Sequence, residues 1–301
     1  MDDRQWKIIQ QMIAAGASGE EMRPMVSQRT LFGIPSSLDI ALQKIVEEDE
    51  MKNNEIISEI ETLRGWINEC APGKLVFFGG AGVSTESGIP DFRSADGLYS
   101  QKYGDTPPEQ MISRSFFNAH PERFFSFYFD RMVACDAKPN RAHRKLAELE
   151  AAGTLSAIIT QNIDGLHQAA GSKNVLELHG SVLRNYCMGC GKAFDLEQIT
   201  ALHDLAEYGV PRCPMCDSIV KPDVVLYEES LDSAVLEASV RAIASADLLI
   251  VAGTSLAVYP AAGLIDYFQG SHLAIINLSP TPRDRTADLC IAAKVGEVFD
   301  F

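Results

Sequence analysis

The sequence predicts an α/β fold: a parallel sheet with helices on both faces, carrying a small inserted metal-binding module. Two patterns predict it. Short, mostly apolar runs at Leu75–Phe78, Ser156–Thr160, Asp247–Val251, Leu273–Asn277 and Leu289–Ala292 show no polar alternation, and most run into glycine or polar turns. Such runs, separated by helix-length segments, suit strands buried on both faces. The second pattern is a double C-x2-C motif, Cys187-Met188-Gly189-Cys190 and Cys213-Pro214-Met215-Cys216, lying between two of the runs. Parallel sheets bind ligands beyond the carboxyl ends of their strands, so a site is sought in the polar residues just after the runs.

Taken in order, residues 1–50 read as an N-terminal helical extension and residues 51–301 as the main domain. Trp6, Ile9, Met12 and Ile13 recur at helical spacing before the breaker Gly16-Ala17-Ser18-Gly19. A second helix is expected over Ser37–Glu48, with Met51-Lys52-Asn53-Asn54 as a boundary. A third, over Glu55–Cys70, is closed by Ala71-Pro72-Gly73. Leu248–Ile265 carries no charge and is nearly long enough for a membrane span. Its Gly253, Thr254, Ser255, Tyr259, Pro260 and Gly263 favour a strand, a glycine turn and a helix start instead, so no membrane partner is expected.

The 301 residues, 46% of them hydrophobic, can bury a substantial core. With 26 basic against 41 acidic residues the net charge is −15, and no basic stripe offsets it. That argues against nucleic-acid binding and favours basic partners such as lysine-rich peptides. The opening MDDRQW lacks a basic segment followed by an apolar run, so a cytoplasmic location is expected. Seven cysteines, four of them in close pairs, favour metal binding over disulfides. The scattered Cys70, Cys135 and Cys290 read as small buried apolar residues.

Each C-x2-C pair can grip one ion from a tight turn, and two pairs complete a tetrahedral thiolate shell. No position is left for a reactive water, so Cys187, Cys190, Cys213 and Cys216 predict a structural Zn2+. The gap between the pairs, residues 191–212, is slightly longer than usual and predicts a small helix over Leu196–Tyr208. The module then spans about 184–223. A redox C-x-x-C pair is the rival reading, but redox motifs seldom come in twos.

Gly80-Ala81-Gly82-Val83-Ser84 follows a strong strand, where glycine lets the backbone approach a pyrophosphate and amide groups can cradle the charge. Thr85 takes the place of the third fingerprint glycine, so a tight turn explains this loop equally well. The continuation alters the balance. Gly80 to Ser94 reads GAGVSTESGIPDFRS, followed in order by Gln161-Asn162-Ile163-Asp164, His179-Gly180, Gly253-Thr254-Ser255 and Asn277 before Leu278-Ser279. This series closely resembles the sirtuin family, from about Glu55 to the C-terminus.

The resemblance implies a Rossmann-like domain with an inserted zinc module and NAD-dependent removal of acyl groups from protein lysine. The acyl oxygen attacks C1′ of the nicotinamide ribose and displaces nicotinamide. His179 is then the general base, taking a proton relayed through the ribose hydroxyls, and the products are free lysine and O-acyl-ADP-ribose. Asn162 would hold the ribose and a water, and Asp164 and Ile163 the nicotinamide carboxamide. Gly80, Ala81, Gly82, Glu86, Gln161, Gly253, Thr254, Ser255 and Asn277 are the implied remaining cofactor contacts. Asp91, Phe92 and Arg93 match the cofactor loop, where the phenylalanine shields the reacting carbon from water. His167 matches a packing and hydrogen-bonding histidine, while His120, His143, His203 and His272 read as ordinary. In isolation, Asp91 and Arg93 could be a loop ion pair and Asn162 a turn former.

Lys221 to Glu229 resembles the segment that pairs with the substrate backbone, where a peptide would add as a strand. Val225, Tyr227, Phe92 and His179 are the implied acyl-lysine contacts. The commonest family pattern there is FGE, whereas this chain has Tyr227-Glu228-Glu229. A positive φ at Glu228 would be costly, and two adjacent charges would favour peptides with basic flanks. Gly79 stands where the family often has threonine, an expected loosening near the cofactor. Desuccinylating sirtuins share a tyrosine and an arginine where this chain has Leu98 and Gln101, so uncharged acyl groups are expected. The alternatives are mono-ADP-ribosyl transfer through the same NAD site, or an NAD-sensing scaffold.

Overall fold

The computed structural model describes residues 36–94, 97–100 and 105–301. The expected helix around Trp6 to Ile13 and the position of Gln101 lie outside these residues. The chain divides between Thr62 and Leu63, and Leu63–Phe301 forms one compact unit. A single helix, Ser36–Glu69, runs through the expected boundary at 51–54 without a break. Lysine and asparagine cost a helix only a few tenths of a kcal/mol each, and neither glycine nor proline occurs there to stop it. The helix does end where Ala71-Pro72-Gly73 follows. Leu63 and Ile67 are buried, and Trp66 stacks on His272 with ring centroids 4.2 Å apart.

Six strands form the main sheet: β1 (Leu75–Gly79), β2 (Leu155–Thr160), β3 (Val175–Glu177), β7 (Leu248–Ala252), β8 (His272–Ile276) and β9 (Leu289–Ile291). Every pairing is parallel and the order is β3-β2-β1-β7-β8-β9. All five residues of β1 and of β7 are buried, which accounts for their unbroken apolar runs. Fully burying Phe77 and Phe78 contributes roughly 2–3 kcal/mol each. Helices Arg141–Ala151 and Ser233–Ser245 start at side-chain caps, Asn140 accepting from His143 N–H and Asp232 from Val235 N–H.

The inserted module is a three-stranded antiparallel sheet in the order β5-β4-β6: β4 (Gly180–Cys187), β5 (Ala193–Phe194) and β6 (Val220–Val224). The expected helix between the cysteine pairs spans Leu196–Leu205, opened by an Asp195/Gln198 capping box. Gly180 joins the module to the main sheet with φ +75, and a Cβ there would lie 1.9 Å from the Asp223 carbonyl oxygen. Only glycine fits that joint.

Of the scattered cysteines, Cys135 and Cys290 are exposed and Cys70 is half-buried, so the expectation of three buried thiols is corrected. Each follows an element's end or lies on an edge strand, where an apolar residue meets water. No helix of the described residues is long and apolar enough to cross a membrane. The uncharged stretch from Leu248 instead forms β7, a glycine turn and the 3-10 helix Ala261–Tyr267.

Candidate active site

The candidate residues follow the carboxyl ends of the strands: Gly80–Gly82 after β1, Gln161–Asp164 after β2, His179 after β3, Gly253–Ser255 after β7 and Asn277 after β8. The chain proceeds from β1 to β2 and β3 on one side and to β7 on the other. The gap between β1 and β7 is therefore the topological switch point, where such sheets bind ligands.

Two loops meet there backbone to backbone. Gly80 N–H donates to Ala252 O (3.0 Å) and Gly82 N–H to Gly253 O (2.8 Å). A Cβ on Gly82 would lie 2.7 Å from Gly253 Cα, and Gly253 itself has φ +60. These glycines thus serve the loop contact, and an amide cradle can draw on neither the Gly80 nor the Gly82 N–H. Gly79 also departs from expectation. A Cβ there would lie 2.7 Å from the Phe77 ring and 3.2 Å from Val83, so glycine here tightens the packing.

His179 is half-buried, and its Nδ1 lies 2.9 Å from the Gln161 carbonyl oxygen. A carbonyl only accepts, so Nδ1 carries the hydrogen and Nε2 keeps its lone pair. Burial lowers the His179 pKa, and the bond to Gln161 only partly offsets this. The imidazole is neutral at pH 7, as a base must be. Val225 N–H donates to His179 O (3.0 Å), which ties the histidine to the expected peptide edge.

Asn162 Nδ2 donates to Ser84 Oγ (3.0 Å), and Ser84 Oγ donates to Asp164 Oδ2 (2.7 Å). Ser84, buried at the end of the glycine loop, is the link that sequence reasoning missed as a site residue. Its only signal was a small polar residue after an apolar one in the same loop. Gln161 Nε2 donates to Thr254 Oγ1 (3.0 Å), joining the β2 and β7 loops. Ile163 O accepts from Val182 N–H, and Asn277 Nδ2 donates to Ser279 O.

Behind Asp164 lies a second missed feature. His143 is fully buried rather than ordinary, and its ring centroid is 4.7 Å from that of His167. His143 Nε2 and both nitrogens of His167 have no hydrogen-bond partner among the described residues. The His167 ring therefore packs, edge-on to Phe77, with no hydrogen bond from its nitrogens among the described residues. Burial pushes both histidines down, to about 4 for His143 and about 3 for His167, with the Asp164 charge partly opposing the shift of His143.

Some residues have other work. The Glu86 carboxylate accepts Gly296 N–H (2.6 Å) at the start of the helix Val295–Val298, so it holds the C-terminus and is not gathered with the site. Asp91 Oδ1 accepts from Arg93 and Ser94 N–H, and Arg93 lies over the Tyr99 ring, so the loop ion pair does not form. Phe92 packs against Tyr99. Glu228 has φ +76, as feared, but its carboxylate accepts both Ser115 N–H (2.8 Å) and Ser115 Oγ–H (2.9 Å). Glu229 is neutralised by Arg114 (2.6 Å) and Lys221 (3.3 Å), so one charge rather than two faces outward.

The four cysteine Sγ atoms lie within 4.8 Å of one another, with Cys187–Cys216 at 3.3 Å and Cys190–Cys213 at 3.7 Å. A tetrahedron with Zn–S bonds of about 2.3 Å has S···S edges of about 3.8 Å, so the set fits one zinc. The Cys190 and Gly189 amides favour a thiolate at Cys187, and Ser218 lowers Cys216 to about 6. Cys190, despite help from the Lys192 amide, is pushed up to about 11 by its cysteine neighbours. Four thiolates need a cation between them. NAD fits the switch point on donor chemistry: neither Gly80–Thr85 nor Gly253–Ser255 contains a carboxylate to repel a pyrophosphate, although the chain carries −15 overall.

A parallel sheet with a polar switch point, a neutral histidine and a four-cysteine module defines a dinucleotide-binding α/β protein with a structural zinc site. The Sir2 family profile matches residues 80–260. The NAD-dependent protein deacetylase of Clostridium acetobutylicum is 56% identical over 246 residues, covering 81% of this chain and 98% of that protein. A solved Sir2 complex with a deacetylated p53 peptide and 3′-O-acetyl ADP ribose is 39% identical, with TM-score 0.74 over 80% of this chain and 95% of that one. A Sir2–p53 peptide–NAD+ complex is 40% identical, with TM-score 0.70 over the same shares. The chain belongs to the Sir2 family.

The unfolded chain protonates His143 and His167 near 6.5 and the fold only at lower pH, so their contribution is complete above about pH 6.5 and is lost as pH falls toward 4 and 3. Thermal unfolding should show Tm falling across pH 6.5 to 4, with a shallower fall in His167→Leu; an equal slope in both proteins would contradict the assignment. Native mass spectrometry should find one zinc per chain, lost in Cys213→Ser together with several degrees of Tm. Retained zinc, or a disulfide in its place, would rule out the four-thiolate site.

Proposed function

We infer that this chain removes acetyl or other uncharged acyl groups from protein lysine in an NAD-dependent reaction, yielding nicotinamide and O-acyl-ADP-ribose. The observation that carries the reading is His179, neutral and tautomerically fixed by Gln161, bound through its own carbonyl to the peptide edge. NAD, when bound, supplies the activated C1′ carbon that receives the acyl oxygen. Ala81, Gly253–Ser255 and Asn277 are the residues that would hold its phosphates and riboses, while Gly80 and Gly82 keep the two loops in contact. Asn162 and Asp164, braced through Ser84, would orient the ribose and the carboxamide, with Ile163 beside them. His179 Nε2 takes the relayed proton. Phe92 excludes water from the reacting carbon.

The acyl-lysine would lie between Phe92, His179, Val225 and Tyr227, its backbone adding to the strand edge. Leu98, at the place where resemblance to desuccinylating sirtuins would call for a tyrosine, is buried and apolar, which supports uncharged acyl groups. The single free charge of Glu228 supports a modest preference for basic flanks. Thiolate ligation of zinc favours a reducing compartment such as the cytoplasm.

Incubation with NAD and an acetyl-lysine peptide should yield O-acetyl-ADP-ribose, and His179→Ala should lower kcat by about 10²–10⁴-fold with NAD binding retained. Peptides with lysine flanks should exceed glutamate-flanked ones about two- to fivefold in kcat/KM at low salt. ADP-ribosylated protein instead of acyl-ADP-ribose would establish the transferase, and NAD binding without turnover the sensor.

A further inference from the structure

The residue closing the substrate strand is held unusually firmly. Tyr227 N–H donates to Ile112 O and Tyr227 O accepts from Arg114 N–H, both at 3.0 Å. The next residue, Glu228, keeps its left-handed φ of +76 while its carboxylate is bound to Ser115. Such strain persists only where the surroundings over-determine it. The Tyr227 backbone is therefore a fixed post, while the residue as a whole remains 38% exposed.

From that post the hydroxyl reaches Tyr99, with the two Oη atoms 2.8 Å apart. Tyr99 is fastened to Phe92 twice over. Its N–H donates to Phe92 O (2.9 Å), and its ring packs on the Phe92 ring with centroids 5.5 Å apart. The Arg93 guanidinium lies over the Tyr99 ring at 5.6 Å and the Leu98 N–H is bound to Asp91 O, so the Tyr99 ring shares in the packing of the Asp91–Phe92–Arg93 turn. Burial raises the Tyr99 pKa, and this hydroxyl stays protonated throughout the working pH range.

Resting on the deacylase reading, we propose that the Tyr99–Tyr227 hydroxyl pair is a positioning latch that makes the seating of the acyl-lysine strand and the placement of Phe92 interdependent. Neither hydroxyl touches a reacting atom. Their bond joins the element that receives the acyl-lysine to the turn whose phenylalanine excludes water from the sugar carbon. With the latch intact, cleavage of the nicotinamide bond leads to acyl transfer. Without it, Phe92 is less firmly held, and water competes for the same carbon, giving free ADP-ribose and an unchanged acyl-lysine.

The test uses Tyr99→Phe, Tyr227→Phe and the double variant of the full chain, each keeping its ring. Nicotinamide and O-acetyl-ADP-ribose are quantified together at saturating NAD, and the peptide KM is measured alongside. Wild type should give the two products at about 1:1. Each single variant should raise the ratio of nicotinamide to O-acetyl-ADP-ribose and the peptide KM by about two- to fivefold, the scale of one hydrogen bond. The double variant should match the singles, because the bond is already gone. Unchanged ratios and KM in both singles, or single effects that multiply in the double, would overturn the latch. Wild type releasing no O-acetyl-ADP-ribose would instead refute the deacylase reading. The latch is then read from thermal unfolding of the same four proteins, where a zero coupling term contradicts it.

Discussion

The hydrogen bond from His179 Nδ1 to the Gln161 carbonyl oxygen is the constraint on which the rest of the site depends. It decides which ring nitrogen holds a proton, and so which one keeps the lone pair that the proposed base needs. Gln161 is in turn placed by β2 and by its own side-chain bond to Thr254 beyond β7. The ring of His179 is thereby referenced to both sides of the switch point. Burial keeps the imidazole neutral, while the bond fixes its tautomer and orientation.

Around that bond the structure divides its labour between backbone and side chain. Backbone contacts do the clasping: Gly82 against Gly253 at the switch point, Gly180 against Asp223 at the joint with the zinc module, and Val225 against His179 at the proposed substrate edge. Side chains do the polar work, in the chain Asn162–Ser84–Asp164. The four-cysteine module contributes β4 and β6, and β6 leads directly into the proposed substrate edge.

Much of this was legible in the sequence. Unbroken apolar runs gave the parallel strands, because a strand covered on both faces has no solvent side to mark with polar residues. The cysteine spacing pointed to the knuckle unaided. What stayed hidden was whatever depends on a distant partner. Glu86 lies in the signature run yet holds Gly296, 210 residues away. Ser84 and His143 carry no local pattern, and their roles arise only when the β1, β2 and Asn140 segments converge. The helix at Ser36–Glu69 ran on through Asn53 and Asn54 because propensity alone is too weak to end it. Glu228 showed its strain in the sequence, but its relief through Ser115 did not.

The account stands on the state of one imidazole, and nitrogen-detected NMR of His179 in the 15N-labelled protein reads that state directly. The structure predicts a neutral ring at pH 7 with hydrogen on Nδ1 and a lone pair on Nε2, titrating below 6.5. A ring protonated at pH 7, or a neutral one with hydrogen on Nε2, would contradict it.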